Sequence, residues 1–138
     1  MHTSIHLLCS LADQKVIRGY AGPDISKIEF EGEINDFNKK IEGIKKQMQD
    51  YVHSNIKVEV MYKNIDEIKK IGLVEEVGEI EKSINQVLRI VNIHGVDLRA
   101  CNGTHVENTR MLMGIGIDSV KVNGFGKFSV RLKKFKIT

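Results

Sequence analysis

The stretch VIRGYAGPDISKIEFEGEINDFNKKIEGIKKQMQDYV, residues 16–52, changes its hydrophobic period midway, and that change decides the fold class. VIRGYA and ISKIEFEG read as strands about a turn at residues 21–24, where Gly22 and Pro23 are turn formers. From Glu33 onward Ile34, Phe37, Ile41, Ile44, Met48 and Tyr51 recur at steps of three and four. Residues 34–52 are therefore an amphipathic helix, with its apolar stripe on the core and Lys and Glu outside. A hairpin followed by a long helix opens an α+β chain.

Working outward, IKVEVMY alternates as a strand, and Asn64 is placed to cap a short helix that runs through Ile71 and stops at Gly72. Residues 73–86 read as one more helix. VLRIVNI and VDLRA form a hairpin about His94 and Gly95, and SVKVNGFGKFSVRLKKFKI forms a second hairpin at the end. Upstream, HTSIHLL reads as the opening of a helix. The expected architecture is α+β: a single two-layer domain over residues 1–138, with an antiparallel sheet packed against helices and an H-x-x-x-H motif on the first helix.

Composition agrees with one domain. The chain has 138 residues, 41% of them hydrophobic and 28% charged, enough to bury a core. No apolar run approaches the roughly 18 residues needed to cross a bilayer, and no signal-peptide pattern is present, so the expected location is cytoplasmic with no membrane partner. Two cysteines far apart in sequence make no disulfide framework and suit a reducing compartment.

Chemistry concentrates in two short motifs. His2 and His6 in HTSIHLL stand four residues apart, which on a helix brings both imidazoles to one face with Cβ atoms roughly 5–6 Å apart. Far downstream, CNGTH offers Cys101 and His105. Three of the five histidines and one of the two cysteines fall in these motifs. Zinc takes imidazole nitrogen and thiolate sulfur in a tetrahedron, so His2, His6, Cys101 and His105 match its chemistry if folding brings the halves together. Cys9 shares the face of His2 and His6 and is a possible ligand, but its place in the apolar run IHLLCSL favours the core. The first motif carries Thr3 where H-E-x-x-H has its Glu, which removes the general base of a zincin protease.

HTSIHLL followed by VDLRACNGTHVENT resembles the second additional, or editing, domain of alanyl-tRNA synthetases, AlaX-type trans-editing proteins and threonyl-tRNA synthetases. GYAGPDISKIEFEGEI and VLRIVNIHGVDLRACNGTHV resemble the family's connecting segments, so the likeness covers most of the chain. Thr104 leans toward the alanyl branch, since threonyl relatives more usually have Pro there. Two departures stand out: Asn102 replaces the first Gly of C-G-G-T-H-V, and Arg110 and Met113 in NTRMLMG replace expected glycines, which bears on the pocket floor. The chain starts directly before the first motif, so it reads as a minimal version of the family or an excised fragment, without the β-barrel that larger members place ahead of this domain.

The resemblance implies a zinc-dependent aminoacyl-tRNA deacylase that hydrolyses the serine or glycine ester of mischarged tRNA(Ala). Zinc would polarise the ester carbonyl or activate a bound water, either of which requires an open coordination position. Thr3 and Thr104 are the expected catalytic neighbours, hydroxyls placed to bond the substrate amine or a serine hydroxyl. Four bound ligands would close the tetrahedron, and the competing expectation is therefore a non-catalytic zinc-containing tRNA-binding module or a fragment of a larger synthetase-like protein.

Charge points to the same partner. Residues 119–138 hold Lys121, Lys127, Arg131, Lys133, Lys134 and Lys136 with no Asp or Glu, while the whole chain is only +3. A one-signed ribbon suits a phosphodiester backbone, and the resemblance makes that backbone tRNA, not DNA. Lys127, Arg131, Lys133, Lys134 and Lys136 are the expected contacts. No RNP-type aromatic platform for single-stranded bases is present, so shape and backbone contacts are expected to dominate, and Phe125 and Phe128 read as core residues.

Overall fold

The structure is a computed structural model that describes residues 1–70 and 87–135. The helix expected over residues 73–86 and the expected contact Lys136 lie outside the described residues. Helix α1 (His2–Ala12) ends at Asp13, which takes the left-handed conformation at φ 51° and ψ 44° that aspartate tolerates better than most residues. Lys40 Nζ donates to the Ala12 carbonyl at 2.8 Å, satisfying one of the acceptors a helix C-terminus leaves open. Strands β1 (Lys15–Ala21) and β2 (Ile25–Glu31) pair antiparallel about the expected turn. Gly22 is required there, because a Cβ would stand 2.7 Å from the Ile25 carbonyl oxygen. Helix α2 (Ile34–His53) follows, and its buried residues Phe37, Ile44, Met48 and Val52 keep the helical spacing read from the sequence.

The chain divides into two compact units. The first comprises residues 1–56 and 104–138, the second residues 57–103. The first unit also holds a 3-10 turn (Thr109–Leu112) and the hairpin β6 (Ile115–Gly124) and β7 (Lys127–Lys134). Its sheet runs β1-β2-β7-β6, so β2 and β7 are the inner strands although some hundred residues separate them in sequence. Alternation then sorts the side chains. Ser26, Ile28 and Phe30 of β2 stand opposite Leu132, Val130 and Phe128 of β7, and all six are buried. Phe30, Phe37 and Phe128 form an aromatic cluster with ring centroids 5.1–6.3 Å apart. Truncating such a fully buried Phe to Ala costs about 3–5 kcal/mol, so this cluster is a major source of the unit's stability.

The second unit contains β3 (Val58–Asn64), helix α3 (Ile65–Lys70), β4 (Val87–Ile93) and β5 (Asp97–Ala100), with strand order β3-β4-β5. Asn64 caps α3 as its sequence position suggests. The Glu67 N–H donates to Asn64 Oδ1 at 2.9 Å and the Asn64 N–H donates to Glu67 Oε1 at 3.3 Å, a reciprocal capping box. That backbone hydrogen bond from Asn64, helped by Lys63 and Lys70 against some desolvation, holds the Glu67 carboxyl below its ordinary value. Ile68 and Ile90 form a small core with Met61, Leu88, Leu98 and Ala100 around it. The α+β expectation is borne out. The strands are distributed over two antiparallel sheets where the sequence reading foresaw one, because pairing partners far apart in the chain leave no local signal.

Candidate metal centre

The first turn of α1 sits inside the first unit, with Thr3 and His6 buried and His2 half-buried. His105 comes from the segment that re-enters this unit. Two sets of hydrogen bonds fix that segment. At one end the Val106 N–H donates to Thr3 Oγ1 at 3.2 Å, and the same hydroxyl lies 2.9 Å from His105 Nδ1. At the other end, Thr109 is stitched to the C-terminal part of α2. Its N–H donates to the Ile56 carbonyl at 2.9 Å, its Oγ1 accepts the Ile56 N–H at 2.8 Å, and its hydroxyl donates to the Tyr51 carbonyl at 2.6 Å. The N–H and the hydroxyl of a fully buried threonine are thereby both satisfied.

Three imidazoles converge as a result. The ring centroids are 5.1 Å apart for His2 and His6, 4.8 Å for His2 and His105, and 4.5 Å for His6 and His105. One ring nitrogen of each lies within 4.8 Å of those of the other two. The tautomer of His105 with its proton on Nδ1 donates to Thr3 and leaves Nε2 as a donor atom, the arrangement that metal-ligating histidines adopt. Such a set of converging nitrogens suits a borderline cation of the zinc type.

Cys101 lies in the second unit, directly after β5 and half-buried. Arg89 of β4 holds its turn: Nη1 donates to the Cys101 carbonyl at 2.9 Å and to the Gly103 carbonyl at 2.7 Å, while the Cys101 N–H donates to the Arg89 carbonyl at 3.1 Å. The Gly103 N–H points at Cys101 Sγ at 3.4 Å. The sequence did not single out Arg89 or Thr109, since an isolated Arg in a strand and an isolated Thr in a loop carry no pattern. Cys9 is buried among the core residues of α1, as its apolar run suggests. Thr104 is exposed. Arg110 and Met113 sit in and just after the 3-10 turn without left-handed backbone, so neither position needs a glycine, whereas Gly114 takes φ 89°.

The basic ribbon divides by face. Lys127, Arg131 and Lys133 alternate with buried Phe128, Val130 and Leu132, so they stand on the face of the sheet turned away from the helices. Lys134 is out of phase with them. Asp118, one residue before the acid-free run, pairs with Arg131 at 3.3 Å. The reading of Phe125 needs correction: Phe128 is fully buried, but Phe125 is fully exposed at the tip of the β6–β7 hairpin, between two glycines that carry the turn. A turn tip has no inner face to offer it.

On the same open face, Arg18 donates to Glu29 Oε1 at 3.2–3.3 Å and Asn123 Nδ2 donates to Glu29 Oε2 at 2.7 Å. Desolvation pushes the Glu29 carboxyl up. The hydrogen bonds from Asn123 and Arg18, with the charges of Arg18 and Lys127, outweigh it and hold the group below its ordinary value. Among the described residues no helix is long and apolar enough to cross a membrane.

Comparison with known proteins bears on this geometry. Residues 88–126 match the family model of the threonyl and alanyl tRNA synthetase second additional domain. An alanine–tRNA ligase of Mycoplasmopsis synoviae (strain 53) is 30% identical over 101 residues, covering 73% of this chain and 12% of the ligase. One from Mycoplasmopsis pulmonis (strain UAB CTIP) is 26% identical over 140 residues, 94% of this chain and 16% of the ligase. The alanyl-tRNA editing protein AlaX-M of Methanosarcina barkeri (strain Fusaro / DSM 804) is 28% identical over 145 residues, 96% of this chain and 55% of that protein. The chain thus spans between about an eighth and about half of the length of these relatives. Paired motifs, the matched segment and these relatives all point to the threonyl and alanyl tRNA synthetase second additional domain, whose model matches residues 88–126.

Proposed function

We propose that the protein is a zinc-dependent aminoacyl-tRNA deacylase that hydrolyses mischarged tRNA(Ala), releasing serine or glycine from its 3′ ester. The observation that carries the reading is the convergence of His2, His6 and His105 with the Thr3 hydroxyl against His105. Cys101, four residues before His105 in a turn held by Arg89, is the fourth donor in this reading. When bound, zinc supplies Lewis acidity toward the ester carbonyl. Thr3 keeps the His105 ring in register. The exposed Thr104 hydroxyl bonds the amine or side-chain hydroxyl of the aminoacyl group, and a site that satisfies a hydroxyl rejects an analogue lacking it. The relatedness to an alanyl-tRNA editing protein over 96% of this chain supports the substrate class. Lys127, Arg131, Lys133 and, beyond the described residues, Lys136 are assigned to the tRNA backbone, with Lys134 on the other side of the strand.

A second reading keeps the metal and drops the reaction. Four donors fill a tetrahedron, the pattern of structural zinc, and the ligase relatives are far longer than this chain. One experiment separates the two: zinc content by mass spectrometry, then release of labelled amino acid from seryl-, glycyl-, alanyl- and threonyl-tRNA by the zinc-replete protein. Faster release from seryl- or glycyl-tRNA(Ala) than from alanyl-tRNA(Ala) supports the deacylase. Buffer-level release from all of them leaves the binding module, and release from threonyl-tRNA alone moves the chain to the threonyl branch.

A further inference from the structure

Strand register composes the open face of the first unit's sheet from all four strands. Tyr20 stands beside Lys27, Lys27 beside Arg131, and Arg131 beside Ser119, one row across the sheet. The next row is Arg18, Glu29, Ser129 and Lys121, and Lys15, Glu31 and Lys127 form a third. Ion pairs join Lys15 to Glu31, Arg18 to Glu29 and Arg131 to Asp118. Among the described residues Lys27, Lys121 and Lys133 form no ion pair and Lys127 acts on Glu29 only through its charge, so basic groups outnumber the acidic Glu29, Glu31 and Asp118 on this face.

Tyr20 stands in that field. It is 65% exposed, and its ring leans over the turn, where a Cβ on Gly22 would meet Cε1 and Oη at 3.1 and 3.2 Å. It borders a cleft of about 410 Å³ lined by Arg18, Gly19, Tyr20, Lys27, Glu29 and Asn123. The far wall is polar and held in place. Asn123 donates to Glu29 and to Ser129, and Arg18 donates to Glu29. A stacking ring, a neighbouring lysine and fixed amide and carboxylate groups are the parts that hold an unpaired nucleotide: base on ring, phosphate on ammonium, base edge on the polar wall.

We propose that this face binds single-stranded RNA, with one base stacked on Tyr20 and its phosphate on Lys27. The proposal rests on the tRNA reading above for the choice of RNA, and it adds the β1–β2 hairpin to a surface otherwise assigned to the C-terminal ribbon. It is tested by fluorescence anisotropy of a short single-stranded RNA and of the same sequence as a duplex, over a salt series, alongside deacylation by the same preparations. The protein set is wild type, Tyr20→Ala, Tyr20→Phe and Lys27→Glu, with thermal melts confirming the fold. Expected are a loss of roughly tenfold in single-strand affinity for Tyr20→Ala, rescue by Tyr20→Phe, and a salt slope shallower by about 0.7 for Lys27→Glu. Unchanged affinity in Tyr20→Ala and Lys27→Glu overturns the proposal, even if deacylation persists. Equal losses on duplex and single strand, or no binding by wild type, also overturn it. Face-dependent binding without deacylation upholds the RNA surface and removes the enzyme reading instead.

Discussion

The Thr3 hydroxyl lies 2.9 Å from Nδ1 of His105, joining residues 102 positions apart in the chain. This contact makes the H-x-x-x-H helix and the segment after C-x-x-x-H into one structure. It also gives Thr3 work other than contact with substrate, because its Oγ1 already accepts the Val106 N–H.

Thr3→Val is expected to weaken zinc affinity roughly 10- to 100-fold, the usual loss when the partner that orients a ligating histidine is removed. Thr3→Ser keeps the oxygen and restores most of it. Competition with a chromophoric chelator reads both. Equal affinity in all three proteins removes Thr3 from the centre.

Cys101→Ala should lower zinc stoichiometry and melting temperature together, because a metal that binds the native state contributes to folding. Cys9→Ala, in the core of α1, should lower the melting temperature and leave stoichiometry intact. Full metal content in Cys101→Ala with loss in Cys9→Ala would exchange the two assignments.

Lys133→Glu should weaken tRNA binding and flatten its salt dependence more than Lys134→Glu, since the two residues fall on opposite sides of β7. Filter binding over a salt series gives both slopes. Identical effects would mean that local charge, not the face of the sheet, governs the contact.

Thr109→Val removes the partner of a backbone N–H and the staple between the 3-10 turn and α2. A cost of about 1–3 kcal/mol in urea unfolding is expected, the range for leaving a buried donor unsatisfied. A change within a few tenths of a kcal/mol would show that water replaces the hydroxyl.

Glu29 supplies a pH signature. Its folded value is lowered from the ordinary 4.5, so its contribution is present above that value and disappears as pH falls through the folded one. Wild type should therefore outmelt Glu29→Gln at neutral pH, with the gap closing in acid. A gap that stays constant with pH assigns the effect to shape instead of charge.

Local order was readable because each signal occupies a few neighbouring residues. The alternation of ISKIEFEG, the apolar stripe of α2 and the Asn64 cap all lie where the sequence places them. The paired His and Cys motifs stand out in the sequence because they consist of rare residue types four residues apart. What joins them does not. The antiparallel pairing of β2 with β7 leaves no mark in either strand, and without it Tyr20, Lys27 and Arg131 belong to unrelated segments. The same gap hid Thr109, whose importance lies wholly in Tyr51 and Ile56. Phe125 shows the converse: residue type alone suggests core, whereas the turn between Gly124 and Gly126 carries its ring outward.

The position of β2 has a consequence for how the chain is made. As synthesis proceeds, β1 and β2 can pair as soon as they emerge, but the other edge of β2 waits for β7, the last of the described strands. Until then a row of backbone donors and acceptors, backed by Ile28 and Phe30, is open to any extended neighbour. The nascent chain therefore carries an adhesive edge from the emergence of β2 until that of β7. Only once β7 has emerged can this sheet close on both sides of β2.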